Sequence, residues 1–156
     1  MKKHEFVTPG LFPGVTADQA VEELERIREK RGILTPGIIV DESRGENALL
    51  HKCFQWDDTK AAALYREEQA RTLIRNIRCV VEITEISYKT RTYVNVSTVE
   101  GSPRSYLPID TAMSEDYSRA DLLNQAKEDA RKFITKYNTL EQLNKVKEEM
   151  LLFIND

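Results

Sequence analysis

"RCVVEITEISY", residues 78–88, is where the pattern of the chain changes. Upstream, apolar residues recur every three or four positions. Inside this run Val, Ile, Thr and Tyr crowd together and alternate with polar residues. β-Branched and aromatic side chains suit a pleated, half-buried surface, so the run is expected as a strand. "RTYVNVSTV", residues 91–99, repeats the signature and is expected to pair with it antiparallel. "YLPI", residues 106–109, is expected as a short edge strand, because Pro108 lacks the N–H that a central strand must donate.

Working outward, the flanks read as helices. Residues 1–14 hold Pro9, Gly10, Pro13 and Gly14 and are expected as an irregular arm. Thr16 and Gln19 have capping-box spacing, with Val15 as a staple, and Gly32 is a C-terminal stop. Between them Ala20, Val21, Leu24 and Ile27 form a narrow apolar stripe. Thr35 as N-cap and Pro36 at the first helical position open a short helix expected to end near Gly45. A longer helix is expected over 59–77, capped by Asp57 or Asp58, with Ala63, Ala70, Leu73, Ile74 and Ile77 buried. Beyond the strands, Ser118 and Asp121 open a helix whose inner face is Leu122, Ala126, Ala130, Phe133 and Tyr137. Thr139 and Gln142 open another, with Leu143, Val146, Met150 and Ile154 inward, and the short "YNT" connection makes the pair an antiparallel hairpin. The fold class is therefore α+β: a helical N-terminal half, a small antiparallel β-hairpin or sheet, and a C-terminal antiparallel helical hairpin. The reading is one domain over 15–156, helical over 15–78, with a β-unit over 79–109 and the hairpin over 118–154.

A chain of 156 residues buries roughly 70% of its unfolded surface, enough to fold without a disulfide or metal. Cys53 and Cys79 form no CxxC pair, and with only His4 and His51 beside them they make no convincing zinc set. There is no apolar run of about 18 residues and no apolar stretch after the initial lysines, so neither a membrane span nor a secretory signal is expected. The net charge of −3 conceals an uneven layout. Residues 1–58 and 93–156 each carry 8 basic and 11 acidic side chains, whereas 59–92 carries 7 basic and 4 acidic. Any contact with a polyanion is expected in that middle segment.

Two groups of residues invite a chemical reading. "LLHKCFQWDD", residues 49–58, holds His51, Cys53, Trp56, Asp57 and Asp58. A metal site there needs further N or S ligands, which lie in distant segments. Adjacent aspartates diverge by about 100° on a helix, and no Gly-rich oxyanion turn accompanies a Cys–His dyad. The structural reading needs no extra partner: Phe54 and Trp56 anchor a loop, His51 bonds locally, and Asp57 or Asp58 starts the next helix. The second group is Arg71, Arg75 and Arg78, at i, i+4 and i+7, preceded by Arg66 and extended by Lys89 and Arg91. It reads as a surface for a partner or for phosphate, or as a solvated face with Glu67 pairing Arg71. A helix-turn-helix over 33–78 is disfavoured by the long connection at 44–58. Tyr88, Tyr93 and Tyr106 could stack bases, though tyrosines on a sheet more often pack across strands. No P-loop, GxGxxG, nucleophile elbow or metal-ligand spacing occurs, so no enzyme activity and no cofactor is expected.

The front half also resembles a family of uncharacterised proteins encoded by bacteriophages and prophages. The resemblance rests on Leu34, Thr35 and Pro36, then Leu50, His51, Phe54, Trp56, Asp57 and Asp58. It continues through Tyr65, Arg66, Gln69, Ala70, Arg71, Leu73, Ile74 and Arg75. It covers about residues 20–78, and "NAL" stands where the family usually has Ser-Pro or similar before Leu-His. It implies a small accessory protein in the cytoplasm of a bacterial host and carries no activity with it. The expectation is a non-enzymatic protein that binds a protein partner, either a host factor or its own copies. The alternative is a nucleic-acid-associated protein that uses the basic segment 60–91.

Overall fold

The computed structural model describes residues 2–57, 60–83 and 86–156. The first helices form where their caps dictate. Thr16 Oγ1 accepts from the Gln19 N–H (3.2 Å) and Gln19 Oε1 from the Thr16 N–H (3.0 Å), closing the capping box of α1 (Ala17–Arg31). Gly32, at φ 75°, ends α1 in the left-handed region, and its N–H bonds the Arg28 carbonyl. Thr35 caps α2 (Pro36–Glu42), accepting from the Ile38 N–H. α2 stops short of Gly45 because Ser43 closes it: the Ser43 N–H and hydroxyl both bond the Ile39 carbonyl.

α3 (Lys60–Asn76) buries Ala62, Arg66, Ala70, Leu73 and Ile74. Ala63, expected inside, is exposed, because the inner face runs through position 62 and the next residue is turned about 100° away. Ile77 is buried as expected but is the first residue of a strand. The expected role of Asp58 as the cap of α3 lies outside the described residues. Asp57 precedes Lys60 by three positions and is not in the helix.

The strands pair differently from the expected hairpin. Residues 78–88 supply two strands, β2 (Ile77–Ile83) and β3 (Ile86–Arg91), which pair antiparallel with each other from Arg78↔Arg91 to Ile83↔Ile86. The expected irregular arm contributes β1 (Lys3–Phe6), antiparallel to β2 with His4↔Cys79 and Phe6↔Ile77. The chain leaves this sheet at Thr92 and starts a second one. There β4 (Tyr93–Val96) pairs antiparallel with β5 (Ser105–Pro108), Tyr93 opposite Pro108. The edge-strand reading of 106–109 holds in outline, since β5 has a single neighbour. Alternation marks a strand without marking where it reverses, and no Gly, Pro or Asn punctuates residues 78–91.

The C-terminal part is the expected helical hairpin with shifted starts. A short α4 (Ile109–Ser114) leads into α5 (Asp116–Lys136), which begins before Ser118. Ser118 is fully buried and donates to Glu115 Oε2 (3.0 Å), while Asp121 is used elsewhere. α5 turns Ala130 inward with Leu122, Phe133 and Tyr137 half-buried, but Ala126 is exposed. α6 (Asn144–Asn155) follows a 3-10 turn over Glu141–Leu143. It buries Ile154 and half-buries Met150, and Leu143 of the turn is half-buried too, whereas Val146 is 45% exposed. The inward position is Lys147, whose ammonium donates to the carbonyls of Tyr137, Asn138 and Leu140 (3.0–3.4 Å). A cation there satisfies carbonyls left over at the end of α5 and suits its dipole.

The larger core gathers Leu24, Ile27, Leu34, Ile39, Leu50, Leu73, Ile74 and Ile77, with Tyr93 and Tyr106 closing it on the β4–β5 side. A smaller one joins Val94, Val96, Leu107 and Ala112, with Ile109 and Leu122 packed against it. The Tyr106 N–H donates to the Leu34 carbonyl (2.8 Å), tying β5 to the α1–α2 connection. This packing brings the end of α3, the rim of the first sheet and the face of the second around a common hollow.

Candidate functional site

Within residues 49–57 the loop makes many internal contacts. His51 Nδ1 donates to the Ser43 carbonyl (2.9 Å), and its ring lies flat on Trp56, 4.8 Å between centroids and 8° between planes. Trp56 Nε1 donates to the His51 carbonyl (2.8 Å), and Phe54 packs against the indole. Burial pushes the Cys53 thiol up to about 11, so it is a poor thiolate donor at neutral pH. Among the described residues no group of three or more His, Cys, Asp and Glu gathers where a metal could sit.

Arg66 belongs to this loop and not to the basic surface in which the sequence set it. It occupies the inner face of α3 and is 3% exposed. Its Nε donates to the Gln55 carbonyl (2.7 Å), its Nη2 to the Asp57 carbonyl (3.0 Å), and its guanidinium lies over Trp56, 4.9 Å from the ring centroid. A planar cation with several donors is suited to this pinning role, and Asp57 takes part through its backbone.

The remaining basic residues separate into two sets. Lys89 pairs with Glu5 across the first sheet. Arg71 and Arg75 from α3, Arg78 from β2 and Arg91 from β3 converge instead on one cleft of about 640 Å³. A fifth arginine, Arg104, enters it from the residue before β5. The cleft is lined as well by Tyr93, Asn95, Tyr106 and, from α5, Leu122 and Gln125.

The electrostatics of these five are unequal. Arg71 meets Glu67 and Glu68 at 3.4 and 3.3 Å in exposed pairs that contribute little. Arg104 is held by Asp121 (2.8 Å) and by the side chain and carbonyl of Asn95. Among the described residues Arg78 donates to the carbonyls of Arg75 and Ile77, at the end of α3. Arg75 and Arg91 have no carboxylate partner among the described residues. Arg78 and Arg91 are also direct partners in the sheet register, where like charges oppose folding. The dipole of α3 accounts for cations at Arg75 and Arg78, but Arg91 and Arg104 come from other elements.

Sequence reading therefore found Arg71, Arg75, Arg78 and Arg91 but missed Arg104, Asn95 and Gln125. Those three lie in the acidic segment after residue 92, so a count of charge along the chain hides them. The three tyrosines present no exposed ring to the cleft. Tyr93 and Tyr106 are buried. Burial and the neighbouring Glu25 carboxylate, which accepts from the Tyr93 hydroxyl, hold that phenol protonated. Tyr88 alternates to the face opposite Arg91.

Among the described residues no helix is long and apolar enough to cross a membrane. Comparison of the chain with protein-family models, with curated proteins and with solved structures gives no match.

Proposed function

We propose that this is a nucleic-acid-associated protein whose arginine cleft receives phosphate groups. The observation that carries the reading is the convergence of five arginines from four segments on one cleft, with Arg75 and Arg91 lacking a carboxylate among the described residues. Placing Arg78 opposite Arg91 costs stability in the free protein. A bound anion relieves that repulsion, and guanidiniums take phosphate oxygens through paired N–H groups. The resemblance of residues 20–78 to phage and prophage proteins extends the proposal to the cytoplasm of a bacterial host as its setting.

The test is binding of labelled single- and double-stranded DNA and RNA across a salt series. Neutralising about three phosphates gives a slope near −2 in log K against log salt for a single strand. Arg75→Glu combined with Arg91→Glu is expected to abolish binding. Absence of binding to any nucleic acid at about 50 mM salt contradicts the proposal.

A different observation supports a second reading, binding of a protein partner. The C-terminal hairpin exposes Leu123, Val146, Leu151, Leu152 and Phe153, large apolar side chains of the kind that a partner covers. Light scattering over a concentration series tests its self-association form: a constant monomer mass excludes it.

A further inference from the structure

Resting on the nucleic-acid reading above, we infer that the cleft takes single-stranded rather than duplex nucleic acid, with Asn95 and Gln125 meeting the edge of an unpaired base. Three features of the site lead there. The first is shape. Proteins meet duplex phosphates with a projecting element that enters a groove. Here the arginines line a hollow that Asn95, Tyr106 and Gln125 line with them. At about 640 Å³ the hollow has the size of a small-ligand site. Such sites span about 300–1,000 Å³, room for one or two nucleotides splayed out of a stack and too little for a double helix.

The second feature is the pair of amides. Gln125 Nε2 donates to the Asn95 carbonyl (2.9 Å) and to Asp121 Oδ2 (3.0 Å). Its Oε1 then has no partner among the described residues. Asn95 Oδ1 accepts from Arg104 Nε (3.1 Å), which orients the amide and leaves its Nδ2 unpartnered among the described residues. The cleft wall therefore offers one acceptor and one donor on neighbouring side chains. That is the complement of an amide-like base edge, which is accessible only when the base is unpaired.

The third feature is what flanks them. No exposed tyrosine reaches the cleft, so a base held there stacks on a guanidinium plane, an arrangement that single-stranded sites use. Arg91 and Arg75 have uncommitted guanidiniums for this among the described residues. Arg104 is fixed by Asp121 and Asn95 and serves to position the amides.

The experiment is fluorescence anisotropy with labelled 12-mers at fixed salt: four single-stranded homopolymers and one mixed-sequence duplex. Wild-type protein is expected to bind the preferred single strand at least tenfold more tightly than the duplex, and to rank the homopolymers. Gln125→Met, close in shape and lacking the acceptor, is expected to compress that ranking about fivefold while the salt slope stays the same. Duplex binding equal to or tighter than single-strand binding overturns this inference and leaves the phosphate reading standing. Absence of binding to every probe overturns both. An unchanged ranking in Gln125→Met, with wild-type circular dichroism, removes the base-edge contact and leaves only shape selection.

Discussion

α3 carries arginines of two kinds, and they behave oppositely. Arg66 faces inward, is covered, and spends its donors on the carbonyls of Gln55 and Asp57 under the plane of Trp56. Arg75, nine residues on, lines a cleft with other arginines and has no carboxylate partner among the described residues. A buried cation with all its bonds made stabilises the fold. A cluster of cations around a hollow weakens the fold, and under the proposed function a bound phosphate offsets that cost. Whether its donors are already taken, more than residue type or spacing, is what sets Arg66 apart from Arg75 among the described residues.

Substitutions can break or sharpen that contrast. Arg66→Ala should have the largest effect. It removes two charge-assisted bonds to carbonyls and the cover of Trp56, costing about 3 kcal/mol, read as a lower urea midpoint with little change in the affinity of surviving folded protein. Trp56→Ala follows at about 2–3 kcal/mol, again with polyanion binding retained. In the cleft the sign reverses. Arg91→Thr relieves the opposition to Arg78 and suits a strand, so it should raise stability by a few tenths to about 1 kcal/mol while weakening oligonucleotide binding about tenfold. The smallest effect concerns Glu42. Its carboxyl is held below the usual range by hydrogen bonds from Lys30 and Arg31. A folded-state pKa below the unfolded one stabilises above the ordinary carboxylate pKa, and the contribution fades as pH falls through the folded value. Glu42→Gln should therefore lower the urea midpoint slightly at pH 7 and leave it unchanged near pH 2.

The same contrast shows what could be read from the chain. Both ends of α1 and the start of α2 were legible because Thr16, Gln19, Gly32, Thr35 and Pro36 act on their own neighbours, whereas α2 ends at Glu42, short of Gly45. The α+β class followed from periodicity. Pairing did not, since β1 finds β2 across some 70 residues and nothing in "KHEF" announces it. Ala63, Ala126 and Val146 missed burial because the inner faces run through other positions, one of them Lys147, which is drawn inward to cap α5. Arg66 could have been recognised: it continues the stripe of Ala62, Ala70 and Leu73, so an arginine there signals a buried pin. Arg104 could not, because only the pairing of β4 with β5 brings it beside Arg91.

The most direct measurement is the urea midpoint with and without a single-stranded 12-mer, for wild-type protein and for Arg75→Ala combined with Arg91→Ala. A ligand that binds only the folded state adds about 2.7 kcal/mol at a hundredfold excess over Kd. Such a gain is expected in the wild type and is expected to vanish in the double substitution, whose own stability should match or exceed that of the parent. A wild-type midpoint that does not move, or an equal gain in both proteins, contradicts the assignment of these arginines to phosphate.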